Sequence, residues 1–272
     1  MSNALPSITL VTPSFNQGDY LEETIQSVIH QGYPCLHYVI HDGGSTDESV
    51  EIIRRYDSLI TRWVSEADDG QADAISKGFA SSNAEYLGWL NSDDALEEGA
   101  LFRFAEAIQR NPDAVLFVGS CYKMDVATGT KTLVRPVGLT AEDIAHWGKR
   151  GFFYQPATLF RRDAFEAVGG LNESLHNAMD VDLWIRLAKQ GRIVEVDAVI
   201  ATAKIHPDMK TLRHLPLRDA ETIKVALAHG YPDAAVERLN EYARHYFFTE
   251  ISSLGLIKEF FARLLAKIGL RF

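Results

Sequence analysis

Two hydrophobic periods alternate along the first part of the chain. Residues 8–13 form a short, nearly unbroken apolar run, as expected of a strand buried on both faces, and residues 20–31 repeat Leu21, Ile25, Val28 and Ile29 on one helical face. Asp19 and Glu22 are spaced to form a capping box at that helix start. The alternation then returns. It predicts a strand at 37–41, a helix at 46–55 entered through Ser45 with Glu48 three positions on, a strand at 60–65 and a helix at 71–80. A strand at 86–90, a helix at 99–110 and a strand at 114–120 follow. Strands alternating with helices predict an α/β fold, with a mainly parallel central sheet and helices on both faces. Past Ser120 the pattern weakens. A hairpin is expected around residues 127–129, helices at 141–150 and 180–190 with Gly191 as terminator, and helical spacing from Leu217 onward.

In open α/β sheets, ligands settle beyond the carboxyl ends of the strands. Polar clusters at 12–17, 42–47, 66–73 and 91–94 follow the first four predicted strands, so one shared cleft is expected there. TPSFNQ, residues 12–17, sets a proline and small polar groups where backbone atoms face a planar base, although a plain strand-to-helix turn looks similar. In HDGGSTD, Asp42 is expected to be exposed at a strand end, while Gly43 and Gly44 permit close backbone approach. A simple turn-forming role for Asp42 is the competing reading. The loop is neither GxGxxG nor a Walker loop, which disfavours a dinucleotide oxidoreductase and a P-loop NTPase. In GWLNSDD, residues 88–94, an apolar strand runs directly into two carboxylates. Two unit charges about 4 Å apart interact by about 4 kcal/mol at an effective dielectric near 20, so such a pair favours a cation, a proton or basic neighbours. Oxygen ligands beside a phosphate-bearing substrate suit Mg2+ or Mn2+. Helix capping by Asp93 and Asp94 is the alternative.

Composition removes other classes. The 272 residues, 46% hydrophobic and 24% charged, suffice for a core without disulfides or structural metals. With 27 Lys and Arg against 37 Asp and Glu, the net charge of −10 opposes a nucleic-acid partner. Cys35 and Cys121, far apart and outside any metal-ligand spacing, read as two buried thiols in a reducing compartment. Residues 1–8 lack a basic segment followed by an apolar core, and no apolar run approaches the roughly 18–20 residues of a membrane span, so a cytoplasmic location is expected.

In order, VTPSFNQGDYLEETIQSVIHQ, HDGGSTD, SEADDGQADAISKGF, LGWLNSDD, QPATLFRRDAFEAVGGLNESL and AMDVDLWIRLAKQG resemble the motif series of family-2 glycosyltransferases with the GT-A fold, across residues 7–210. They are most similar to bacterial members that build surface polysaccharides. The resemblance implies a GT-A, Rossmann-like catalytic domain at 1–215 with a C-terminal helical extension at 216–272. It implies an inverting, metal-dependent enzyme that takes a nucleotide-sugar donor, a UDP-sugar favoured, and a glycan or lipid-linked glycan acceptor. It places Thr12 and Pro13 at the nucleotide base, Asp42 as acceptor for the base imino proton, Asp73 and Lys77 beside the donor, and Asn91 toward the ribose. Asp93, with Asp94 adjoining it, becomes the ligand of Mg2+ or Mn2+, and Asp180 the catalytic base. His206 and Lys210, in KIHPDMKT, resemble a segment that closes over the diphosphate, with His206 a further metal ligand or a phosphate donor; a surface histidine before a proline turn is the competing reading.

Three positions depart from the family pattern. Gly43 stands where many members have a second aspartate, Asn91 replaces the first Asp of Asp-x-Asp, and Met179 replaces the Glu of a Glu-Asp motif. Asn91 brings no negative charge to a cation, which lowers the expected metal affinity. Asp182 competes with Asp180, its alternative being a helix-capping or structural carboxylate, and Arg161 and Arg162 face either an anionic acceptor or solvent. Near the C-terminus, Leu254, Ile257, Phe261, Leu264, Leu265 and Ile268 oppose Lys258, Arg263, Lys267 and Arg271. Such a basic amphipathic helix suits an anionic membrane surface, or packing against protein. Two rival functions stay open. A sugar-phosphate nucleotidyltransferase would carry a Gly-rich basic loop after the first strand, which TPSFNQ is not. A non-catalytic nucleotide- or glycan-binding protein on a degenerate transferase scaffold would account for Asn91 and Met179.

Overall fold

A computed structural model describes residues 4–244. The first half alternates β1 (Ile8–Ser14), α1 (Gly18–Ile29), β2 (Leu36–Asp42), α2 (Ser49–Arg55), β3 (Arg62–Ser65), α3 (Gln71–Ala80) and β4 (Tyr86–Trp89). There follow β5 (Ala95–Leu96), α4 (Ala100–Arg110), β6 (Leu116–Asp125), β7 (Lys131–Val134), α5 (Ala141–Ala145), β8 (Thr158–Arg161) and α6 (Arg162–Ala167). The described chain ends with α7 (Met179–Gln190), β9 (Ile193–Ile205), α8 (Lys210–Arg213), α9 (Leu215–Ala228) and α10 (Pro232–Tyr242).

The strands form one sheet in the order β3-β2-β1-β4-β8-β6-β9-β5, with β7 paired to β6. The pairs β1–β2, β1–β4, β2–β3 and β6–β9 are parallel, whereas β8, β5 and β7 run against their neighbours. The expected mainly parallel sheet is therefore present, and the first four strands lie side by side pointing one way. Their register levels the ends: Ser14 pairs with Asp42, and Asp42 with Ser65.

Apolar side chains pack on both faces. Leu21 and Ile25 of α1, Ile53 of α2 and Phe104 of α4 bury against one face; Ile75 and Phe79 of α3 and Leu183, Trp184 and Ile185 of α7 bury against the other. Each such side chain contributes about 1.5–3 kcal/mol relative to exposure. Trp184 stacks on Trp89 at the end of β4, ring centroids 5.5 Å apart, which anchors α7 beside the strand ends. Val225 of α9 and Ala234 and Ala235 of α10 join this second cluster.

Several local expectations give way to tertiary contacts. The capping box does not form: the amides at the start of α1 are taken by the neighbouring loop, Gly18 N–H donating to Asp47 Oδ2 at 2.9 Å and Gln17 N–H to Ser49 Oγ at 3.2 Å. Glu22 instead accepts from the Tyr56 hydroxyl at 2.8 Å. The helix expected from 46 begins only at Ser49, because Ser45 turns to Asp42 and the Thr46 amide to Asn16. The helix expected at 141–150 stops at Ala145, beyond which Gly148 has φ +83°. Cys121 is buried, but Cys35 is exposed, contrary to the expectation of two buried thiols. Among the described residues no helix is long and apolar enough to cross a membrane. The amphipathic segment at 254–271 lies outside the described residues.

Candidate active site

The loops that follow β1 and β2 are stitched together. Asn16 adopts a left-handed backbone, φ +50°, its amide donating to Ser45 Oγ at 2.7 Å while its side-chain oxygen accepts from the Thr46 amide at 2.9 Å. Local side-chain hydrogen bonds make Asn tolerant of this conformation. Asp42 is fully buried rather than exposed at its strand end. It accepts from the Ser45 amide at 2.9 Å, the Ser45 hydroxyl at 2.5 Å and the Ser65 hydroxyl at 2.7 Å. These three bonds tie the end of β2 to the loop that follows it and to the end of β3. Thr12 is equally buried, its hydroxyl 3.2 Å from that of Tyr38, and Pro13 is buried beside it. Asp73 and Lys77, one turn apart on α3, pair at 2.7 Å, which holds the Asp73 carboxyl below its ordinary range.

Asp93 and Asp94 face different surroundings. Asp94 is buried, Oδ1 accepting from the Lys204 amide of β9 at 3.2 Å, and burial together with the Asp93 charge pushes its carboxyl well above the ordinary range. Asp93 Oδ2 lies 3.1 Å from His206 Nε2. The His206 ring is buried against Tyr20, centroids 4.3 Å apart, and its Nδ1 has no hydrogen-bond partner. A carboxylate oxygen and an imidazole nitrogen in contact make a donor pair that fits a divalent cation, whose other positions phosphate oxygens and water can fill. Among the described residues no group of three His, Cys, Asp or Glu side chains converges on such a site. Asp94 is thus engaged with the β9 backbone instead of completing a triad.

A second polar series starts at Asn91, two residues before Asp93, and runs to α8. Gln71, the first residue of α3, donates to Asn91 Oδ1 at 2.7 Å, and Gln71 Oε1 accepts from Lys210 Nζ of α8 at 2.9 Å. The charge of Lys210 in turn acts on Asp180. Gln71 carries this connection and was not singled out in the sequence; its place within GQADAISKG was the available signal.

Asp180 occupies the first turn of α7, partly buried, Oδ1 accepting from the Val181 amide at 2.8 Å. Burial raises its carboxyl pKa; the Val181 amide and Lys210 oppose that rise, and Glu221 adds to it. A carboxylate shifted this way is a better proton acceptor than a solvated one. Asp182 is used differently. Its Oδ2 accepts from Arg186 Nε and Nη2 at 2.9 and 2.7 Å, its Oδ1 lies 2.8 Å from His229 Nε2, and Arg186 also donates to the carbonyls of Val168 and Gly170. The structural alternative for Asp182 is the one observed. Arg161 and Arg162 are remote from residues 91–94: Arg161 pairs with Tyr86 at the start of β4, the end opposite those residues. Arg161 binds Asp163, and Arg162 binds the Ala84 and Phe79 carbonyls, so neither awaits an anionic acceptor.

The architecture has solved counterparts. S. aureus TarS 1-349 in complex with UDP-GlcNAc superposes with a TM-score of 0.66 at 15% identity, covering 91% of this chain and 74% of that one. The mannosyltransferase PcManGT from Pyrobaculum calidifontis, in complex with GDP-Man and Mn2+, does so with a TM-score of 0.61 at 19% identity, covering 93% and 81%. This likeness defines the fold as GT-A, in agreement with the sheet order. TuaG of Bacillus subtilis (strain 168), named for teichuronic acid biosynthesis, is 31% identical over 149 residues, 53% of this chain and 58% of that protein. The hyaluronan synthase of Pasteurella multocida is 23% identical over 232 residues, 79% of this chain but 22% of that protein. Residues 9–169 match Glycosyl transferase family 2, and the chain belongs to that family.

Proposed function

We propose that the protein is an inverting glycosyltransferase that moves a sugar from a nucleoside-diphosphate sugar to an acceptor hydroxyl, in the assembly of a bacterial surface glycan. The observation that carries this reading is that two polar groupings meet beyond the ends of β3, β4 and β9: the Asp93–His206 contact, and the hydrogen-bonded series Asn91–Gln71–Lys210, whose ammonium charge acts on the carboxylate of Asp180. Asp93 and His206 would hold a divalent cation, Mg2+ or Mn2+. When bound, that cation supplies charge compensation for the diphosphate leaving group. Lys210 adds a cationic group on the same side. Asp180 takes the proton of the acceptor hydroxyl as its oxygen attacks the anomeric carbon and the bond to the diphosphate breaks. One in-line displacement inverts the centre. A positioned base of this kind contributes about 100- to 10,000-fold.

The nucleotide-sugar complexes of TarS and PcManGT support a nucleotide-sugar donor, and the Mn2+ of the latter supports a divalent cation. A UDP-sugar donor, a glycan or lipid-linked acceptor, work on the cytoplasmic side and an anionic membrane contact through 254–271 complete the proposal. Nucleoside diphosphate release from a donor panel, with acceptor glycans and Mn2+, Mg2+ or chelator, tests it. Metal-dependent release is expected. Asp93→Ala and His206→Ala should abolish the metal-dependent rise in melting temperature that a nucleoside diphosphate produces. Asp180→Asn should keep that rise yet slow release by about 100-fold or more. Binding of donors with no release by the wild-type chain would favour the non-catalytic alternative.

A further inference from the structure

Glu221 of α9 makes contacts that the mechanism above does not use. It is buried, at 7% exposure, and its carboxylate reaches across to the loop that opens α7. Oε1 accepts from the His176 amide at 3.0 Å, and Oε2 accepts from the amides of Asn177 and Ala178 at 2.6 and 3.1 Å. Ala178 is the N-cap of α7, and no side chain of the helix's own segment caps it. The free amides at a helix start must find acceptors, and a carboxylate there also meets the positive end of the helix dipole. Here the acceptor comes from more than 40 residues away in sequence. Asp180 is two residues beyond the last amide held.

We infer that Glu221 is a positioning residue: by holding the amides of residues 176–178, it sets the start of α7 and thereby the place of the Asp180 carboxylate. The inference rests on the proposed role of Asp180 as base. Its reasoning is geometric. Buried Leu175 and Ala178 anchor this loop in the core, and the three charge-assisted hydrogen bonds from Glu221 fix its backbone between them; a displacement of about 1 Å at a reacting group can cost about 100-fold in rate. The surrounding charges are otherwise accounted for. Lys210 of α8 and Glu221 are the charged groups acting on Asp180. Asp182 is held by Arg186 and His229, and Asp219 by Arg218 and Arg238.

The test uses the full chain in three forms: wild type, Glu221→Gln and Glu221→Ala. Glutamine can turn its oxygen to Asn177 and Ala178 but then sets an NH2 group against the His176 amide, so it keeps part of the clamp without the charge. Hydrogen exchange at the amides of 176–178 should be fast in Glu221→Ala and intermediate in Glu221→Gln. Carbon-13 titration of the Asp180 carboxyl, assigned with Asp180→Asn, should move to lower pH in both variants, because a neighbouring negative charge has gone. Release of nucleoside diphosphate from UDP-GlcNAc in Mn2+ should fall by about 10- to 100-fold in Glu221→Ala, with donor KM unchanged and the acid limb of the rate profile at lower pH. Unchanged exchange at 176–178 and an unmoved Asp180 titration would overturn the inference. If those two readouts shift as expected while Asp180→Asn turns over at the wild-type rate, the base assignment fails and the clamp stands. The reverse pattern, Asp180→Asn inactive and Glu221→Ala unaltered in rate and pH limb, removes Glu221 alone.

Discussion

Asp180 and Asp182 lie two residues apart on one helix, and exchanging each for asparagine should separate stability from turnover. Asp182 is 6% exposed and holds Arg186 through two nitrogens at 2.7 and 2.9 Å, with His229 at 2.8 Å on its other oxygen. Removing one partner of a buried charged network leaves the other uncompensated, at a cost of about 3–5 kcal/mol. At about 2–4 °C per kcal/mol for a domain of this size, Asp182→Asn should melt about 10 °C lower. Asp180 has the opposite sign. Its carboxyl pKa is raised above the ordinary 3.8 in the folded chain. The native state therefore binds the proton more tightly than the unfolded one, so stability is greater below that ordinary value and falls as the pH rises through the native pKa. At neutral pH the ionised group costs stability, and Asp180→Asn should melt at or above the wild-type temperature while losing transfer. Differential scanning fluorimetry at pH 7.5 beside a diphosphate-release assay reads both. An unchanged melting temperature in Asp182→Asn, with activity gone, would refute the assignment and make Asp182 the candidate base.

Two further outcomes follow from packing. A Cβ at Gly78 on α3 would lie 2.6 Å from both γ-methyls of Val11 in β1; the stiff valine cannot rotate both away, so Gly78→Ala should destabilise by about 1–3 kcal/mol in urea titration, and an unshifted midpoint would contradict this. Iodoacetamide at pH 8 should add one adduct to the native chain, at exposed Cys35, and two in denaturant, because burial shields Cys121 and pushes its thiol pKa up; two adducts in the native state would be the contrary result.

Much of the fold was legible because βα units announce themselves locally. The apolar run at 8–13 and the helical stripe of Leu21, Ile25 and Val28 depend on residues a few positions apart, and they appear as β1 and α1. Four polar strand ends then follow from order and parallel pairing alone. Beyond Ser120 the signal fades for a physical reason. In the long strand β9, Thr202 and Lys204 alternate with Ala201 and Ala203 as the polar positions of a half-exposed strand would, yet all four are buried, so the polarity of the segment does not report its place in the core.

The identities of the acidic residues were visible in the sequence, but their roles depended on partners remote along the chain. Adjacent Asp93 and Asp94 separate only because β9 brings His206 to one and the Lys204 amide to the other. Asp180 and Asp182 point to different sides of α7, and Arg186, His229 and Lys210 decide which is tied down and which stays available. Gln71 and Glu221 acquire their contacts only once α3, α8 and α9 have docked. Periodicity records which face of an element is apolar, whereas the neighbour of a buried polar group is chosen by packing between distant segments, and that choice exists only in the folded chain.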